Sequence, residues 1–112
     1  MSQIGSIKKE QKNADESIEY FKEALVIARE MNDQNMVSSV LNNIGSAYKQ
    51  LGEYGVAKEY FLQAIQINKT LNNRRNLSYN YNNLANVFEE TGNLHQALEY
   101  QQKSIVLKTD LN

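Results

Sequence analysis

A chain of 112 residues with 12 Lys plus Arg against 13 Asp plus Glu carries a formal net charge of −1, which excludes the large basic excess that a broad nucleic-acid footprint or an anionic-membrane anchor needs. It holds no Cys, no Trp, no Pro and a single histidine, His95, so disulfides, thiolate metal sites and most catalytic inventories are missing, and the composition points away from an enzyme and from any cofactor. No apolar run approaches the roughly 20 residues of a membrane span, and Met1-Ser2-Gln3-Ile4-Gly5 lacks the layout of a signal peptide, so a cytoplasmic location is expected.

Apolar residues recurring at steps of three and four predict helices at about 14–31, 35–50, 54–71, 74–90 and 94–110. The first is closed by Asn32-Asp33, a turn-favouring pair. The second carries Val37, Val40, Leu41, Ile44, Ala47, Tyr48 and Leu51, and Gly52 then offers a left-handed cap at no steric cost. The third carries Tyr54, Ala57, Tyr60, Phe61, Ala64, Ile65, Ile67 and Leu71 on one broad stripe and closes at Asn72-Asn73. Leu77, Tyr81, Leu84, Val87 and Phe88 mark the fourth, which ends at Gly92, and Leu94, Ala97, Leu98, Ile105 and Leu107 mark the fifth. Tyr20, Tyr60 and Tyr100 recur at core spacing and are expected to pack. Fifteen residues are Asn, a mediocre helix former, so each copy needs a positional reason; a compositional bias of the genome would account for surface copies.

The chain repeats itself. Displaced by 40 residues it pairs 72 positions with themselves, of which about 20 are identical where composition alone gives about 5. Ile4-Gly5-Ser6 meets Ile44-Gly45-Ser46, Tyr20-Phe21 meets Tyr60-Phe61, Asn42-Asn43 meets Asn82-Asn83, and Gly52 meets Gly92. Each unit reads as two helices, A and B. Residues 1–11 match 41–51, the second half of an A helix, so the chain is expected to begin inside one repeat and to stop after a B helix, as a piece of a longer array.

In one unit Leu41, Ile44-Gly45, Tyr48, Gly52, Ala57, Phe61 and Ala64 fill the pattern of the tetratricopeptide repeat (TPR) family, which this sequence resembles over its whole length. The next unit has Tyr81, Leu84-Ala85, Phe88, Gly92, Ala97 and Ser104, with Ala85 for Gly, Gln101 for the aromatic and Ser104 for Ala. The first keeps Ile4-Gly5, Tyr20-Phe21 and Ala24 but has Lys12 in place of the turn glycine. Small residues let the paired helices approach, and a large side chain at Ala64 should overpack that contact by about 1–3 kcal/mol. The period of 40 exceeds the common 34 and lacks its Pro, so the unit is similar to the longer TPR subclass of kinesin light chains, cell-polarity adaptors and bacterial peptide-sensing regulators and sensor kinases. HEAT and armadillo arrays share the period but not the Gly–Ala–aromatic–Ala spacing. The resemblance implies an all-α solenoid of antiparallel helix hairpins in a right-handed superhelix, one domain over 1–112 of about 2.75 repeats (1–33 partial, 34–73 and 74–112).

Resemblance also implies that the A helices line a concave groove where a protein or peptide partner binds. The candidate residues there are Ser39, Asn42, Asn43, Ser46 and Lys49 of one A helix and Tyr79, Asn82, Asn83, Asn86 and Glu90 of the next, with Ser2, Ser6 and Lys9 on the first. Their spacing puts about one polar group per turn on a common side. An Asn amide both donates and accepts, so it suits a peptide backbone. Each such bond contributes a net ~0.5–1.5 kcal/mol, too little to offset an association cost of roughly 4–15 kcal/mol. Larger anchors must supply the rest, and Tyr79 is the preferred candidate. The TPR clamp for chaperone C-terminal carboxylates is not matched: Asn43 fits one position, but Ser2, Ser6, Tyr79 and Asn83 stand where the family places Lys, Asn, Lys and Arg.

Two alternatives compete with peptide binding. The stripe Leu94, Leu98, Ile105, Val106, Leu107 and Leu111 would be partly bare if nothing follows it, which favours self-association into a homo-oligomer. Subclass resemblance also allows a sensory segment of a bacterial signalling protein. His95 and Glu99 share a helix face without an evident third metal ligand, and Arg74-Arg75 reads as a solvated turn.

Overall fold

Four residues in the left-handed conformation punctuate the chain at even intervals: Asn32 (φ 56°), Gly52 (φ 79°), Asn72 (φ 56°) and Gly92 (φ 83°). Glycine and asparagine are the residues that reach this region at low cost. After each one the next N–H returns to the helix just ended: Asp33 to the Ala28 carbonyl (3.0 Å), Glu53 to Tyr48 (2.9 Å), Asn73 to Asn68 (2.9 Å) and Asn93 to Phe88 (2.8 Å). This is the Schellman closure, which satisfies carbonyls that the helix end would otherwise strand. The same residues then start the next helix. Asp33 and Asn73 cap it by accepting from the Met36 N–H (3.1 Å) and the Asn76 N–H (3.2 Å), whereas Glu53 makes no such bond. Glu53→Asp is therefore expected to add a cap and about 0.5–1 kcal/mol of stability, read as a raised midpoint in thermal unfolding.

These joints separate five helices in a computed structural model that describes the backbone of residues 2–111 and the side chains of residues 12–108. They are α1 (Ser2–Glu30), α2 (Gln34–Gln50), α3 (Tyr54–Leu71), α4 (Arg74–Glu90) and α5 (Leu94–Leu111), with no strand among the described residues. Each packs on its sequence neighbour, and α2 also meets α4. The result is an all-α solenoid, elongated to 48 × 38 × 24 Å with a radius of gyration of 15.0 Å, against about 13 Å for a round domain of this length.

One joint expected from the repeat is absent. The even spacing of left-handed residues would place another at Lys12, but α1 runs unbroken from Ser2 to Glu30. Lysine in the left-handed region costs roughly 1–2 kcal/mol more than glycine there, so the helix continues instead of turning. Residues 4–11 thus extend the first B helix rather than folding back on it.

Two apolar clusters form one continuous core. Leu25 and Ala28 of α1, Val37, Val40, Leu41 and Ile44 of α2, and Ala64 of α3 make the first. Ala57, Phe61 and Ile65 of α3, Tyr81, Leu84, Val87 and Phe88 of α4, and Ala97 of α5 make the second, and Tyr48 packs against both. Within each hairpin an aromatic of the A helix stacks on a tyrosine of the B helix: Tyr48 on Tyr60 (5.6 Å) and Phe88 on Tyr100 (5.6 Å). Tyr20 departs from its expected packing role and is 71% exposed. The repeat places Lys8 where Tyr48 and Phe88 stand, and the unbroken α1 brings no ring back across it.

The Ser104 that replaces an expected alanine is satisfied by its neighbour. Its hydroxyl donates to the Ser78 carbonyl (2.9 Å) and lies 3.0 Å from the Ser78 hydroxyl, both groups being buried. Tyr81 is also buried in this hairpin, and desolvation raises its pKa above the ordinary 10.0 despite the opposing pull of Lys103. A folded-state pKa above the unfolded value means that the native state holds its proton longer, so stability falls as pH rises past about 10. Tyr81→Phe should flatten that fall, which urea unfolding of both proteins at pH 9 and pH 11 would measure.

Candidate functional site

The polar face of α2 and α4 is organised by amides bonded to each other. Asn68 Nδ2 on α3 donates to Asn80 Oδ1 on α4 (2.6 Å), and Asn80 Nδ2 donates to Asn42 Oδ1 on α2 (2.9 Å). Asn42 Oδ1 accepts a second bond from Asn83 Nδ2 (3.1 Å). Asn68 and Asn80 are buried at 1% and 2% exposure, and Asn68 Oδ1 has no partner. A buried polar group left in that state costs about 1–3 kcal/mol.

Three clefts line this face. The first, about 120 Å³, opens between α2 and α4. Four of the predicted residues border it, namely Ser39, Asn42, Asn43 and Tyr79, together with Ser38, Asn76, Asn80 and the Asn68 of α3. The second, about 320 Å³, lies between α1 and α2, where Asn43 and Ser46 face Asn13, Ser17 and Phe21. The third, about 460 Å³, gathers Lys49, Asn86 and Glu90 with Tyr54 and Glu89. The first cleft is neutral throughout, whereas the third holds two carboxylates against one ammonium.

Most of the predicted groove residues therefore come together, with qualifications that physics supplies. Asn42 and Asn83 spend amide capacity on each other, so part of their role is to tie α2 to α4. Asn82 is exposed but borders none of the three clefts. Tyr79 is 54% exposed at the rim of the neutral cleft. The side chains of Ser2, Ser6 and Lys9 lie outside the described residues. Asn68 and Asn80 were missed, although the repeat aligns them with Ala28 and Val40, both core positions; an amide at a core position signals a buried network.

On α5, Leu94, Leu98, Ile105 and Val106 are exposed. Leu107 is not part of that bare row: it is half-buried against the second core cluster, because three residues past Ser104 it points toward α4. The Leu111 side chain lies outside the described residues. His95 is exposed, and the exposed Glu99 carboxylate lies 3.9 Å from Lys103.

The model of the tetratricopeptide repeat family matches residues 1–70 and, in a second overlapping register, 37–109. The chain belongs to the tetratricopeptide repeat family. Solved TPR structures agree in fold at low identity. The TPR domain of Arabidopsis FLU is 20% identical, with a TM-score of 0.81 over 99% of this chain and 94% of that one. BtubC (BKLC) from P. vanneervenii is 21% identical, with a TM-score of 0.81 over 90% of this chain and 41% of its own. The nearly identical TPR-like repeats of a kinesin-light-chain protein from Podosopora anserina are 16% identical, with a TM-score of 0.76 over 99% of this chain and 56% of theirs. No curated protein matches in sequence. TPR domains generally mediate protein–protein interaction, and no helix of this one is long and apolar enough to cross a membrane among the described residues.

Proposed function

We propose that this TPR chain is a protein-interaction module that holds a peptide segment of a partner along the α2–α4 face. The observation that supports it most is the convergence of Ser39, Asn42, Asn43 and Tyr79 on one cleft, with Lys49, Asn86 and Glu90 on another. Helices supply a rigid spacing of donors and acceptors, so a ligand that orders on them meets prepaid geometry. Tyr79 supplies apolar area beside these amides. A random peptide library selected on the wild-type protein tests the reading. Enriched peptides are expected to bind Asn43→Ala/Tyr79→Ala at least tenfold more weakly, with both proteins equally folded by circular dichroism. Enrichment of nothing, or equal affinity for the variant, would remove this face as the binding site.

A second reading, self-association through α5, is favoured by one comparison within the chain. Ile65 of α3 is 5% exposed beneath α4, while its repeat equivalent Ile105 on α5 is 62% exposed, on the same helix face as Leu98 at 55%. A second copy placing a helix there would bury this row. Light scattering of a concentrated sample should then show a dimer that Leu94→Glu/Leu98→Glu dissolves, and a strict monomer would count against it.

A further inference from the structure

We propose that the cleft between α2 and α4 is a subsite for a primary carboxamide, the side chain of an Asn or Gln carried by the bound peptide. The inference rests on the groove reading above and goes further by naming the chemistry of one pocket. Every residue around the cleft is neutral, so a carboxylate or ammonium entering it would leave water with no opposite charge to meet, a cost of several kcal/mol per ion. An uncharged ligand group avoids that cost.

The hydrogen-bonding capacity left over selects among uncharged groups. Asn68 Oδ1 is an acceptor without a donor. Asn42 Oδ1 already takes two donors, from Asn80 and Asn83, so what Asn42 has left to offer is its N–H. The bonded amides thus leave one open acceptor on Asn68 and one open donor on Asn42, with the polar groups of Ser39, Asn43, Asn76 and Tyr79 also around the cleft. A carboxamide carries the matching pair, N–H and C=O, on adjacent atoms. Turning all four amides over conserves all three of their bonds and swaps the two open ends, so Asn68 would then donate and Asn42 accept. A carboxamide turned over with them fits equally well, while a lone acceptor or lone donor would leave one of the two open ends unmet. Asn68 Oδ1 is itself buried; the broad χ2 torsion of Asn lets it turn toward an incoming group, at the expense of loosening its bond to Asn80. A space of about 120 Å³ holds about four waters or the end of one side chain.

The test uses small probes, so that it fails independently of peptide binding. Propionamide, propionate and propylammonium are titrated into the isotope-labelled full chain and followed by amide NMR shifts. Propionamide is expected to shift the Asn68, Asn80 and Asn42 side-chain signals, with each ion at least about tenfold weaker. Ser39→Phe, which places a ring at the exposed rim and leaves the buried amides untouched, should abolish the shifts while the spectrum stays folded. Equal shifts from all three probes, no propionamide response, or a response that survives Ser39→Phe would each overturn the proposal. Peptides that bind the face yet need no Asn or Gln would do the same while leaving the groove reading intact.

Discussion

Gly45→Ala is expected to destabilise the protein by about 1–3 kcal/mol. A Cβ at position 45 would stand 2.7 Å from Cε1 and 2.8 Å from Cδ1 of Phe61, and Phe61 is fully buried in the core. Removing that ring is costlier still: Phe61→Ala should lose about 3–5 kcal/mol. The next repeat shows that the two positions act together, for Ala85 stands in place of the glycine where Gln101 stands in place of the phenylalanine. Once the ring is gone, alanine should be accepted. In a Phe61→Leu background Gly45→Ala should therefore cost well under its wild-type value, a coupling that urea unfolding of the four proteins would measure. An equal cost in both backgrounds would mean that the ring is not what excludes the methyl group.

Asn80→Val is expected to cost about 1–3 kcal/mol, because it strands the buried Asn68 amide that donates to Asn80. Adding Asn68→Ala should recover much of this loss. The double variant reproduces the preceding repeat, where Val40 and Ala28 occupy the same places and are buried without polar atoms. Removing both partners of a buried bond is milder than removing one. Chemical denaturation decides it, and a double variant less stable than the single would contradict the assignment.

Much of this architecture was legible beforehand, and the reason is local. Gly52, Gly92 and the Asn-rich joints at 32 and 72 carry the turn chemistry in single residues, and the apolar period does the rest, so the limits of α2 to α4 fall within about a residue of expectation. The polar residues of the α2–α4 face were legible because they repeat at equivalent positions of two helices. What escaped depends on residues far apart in the chain. Lys12 breaks the series of joints through a conformational cost that a 40-residue alignment does not weigh, and Tyr20 lost its packing role with it. The bond from Asn80 to Asn42 spans 38 residues, and asparagine read one residue at a time signals surface. Reading Asn80 against Val40 and Asn68 against Ala28 would have shown that two amides occupy the core.

The seam between α2 and α4 has a mechanical consequence. Most contacts between neighbouring helices are hydrocarbon, which is indifferent to direction and tolerates small slides, although the Ser78–Ser104 pair also links α4 to α5 by hydrogen bonds. Here Asn42 grips Asn80 and Asn83 through two short bonds whose strength drops steeply as their angles open. Bending the superhelix should thus meet a stiff response over small deflections and then yield abruptly at this latch, making the curvature between α2 and α4 depend on three side chains.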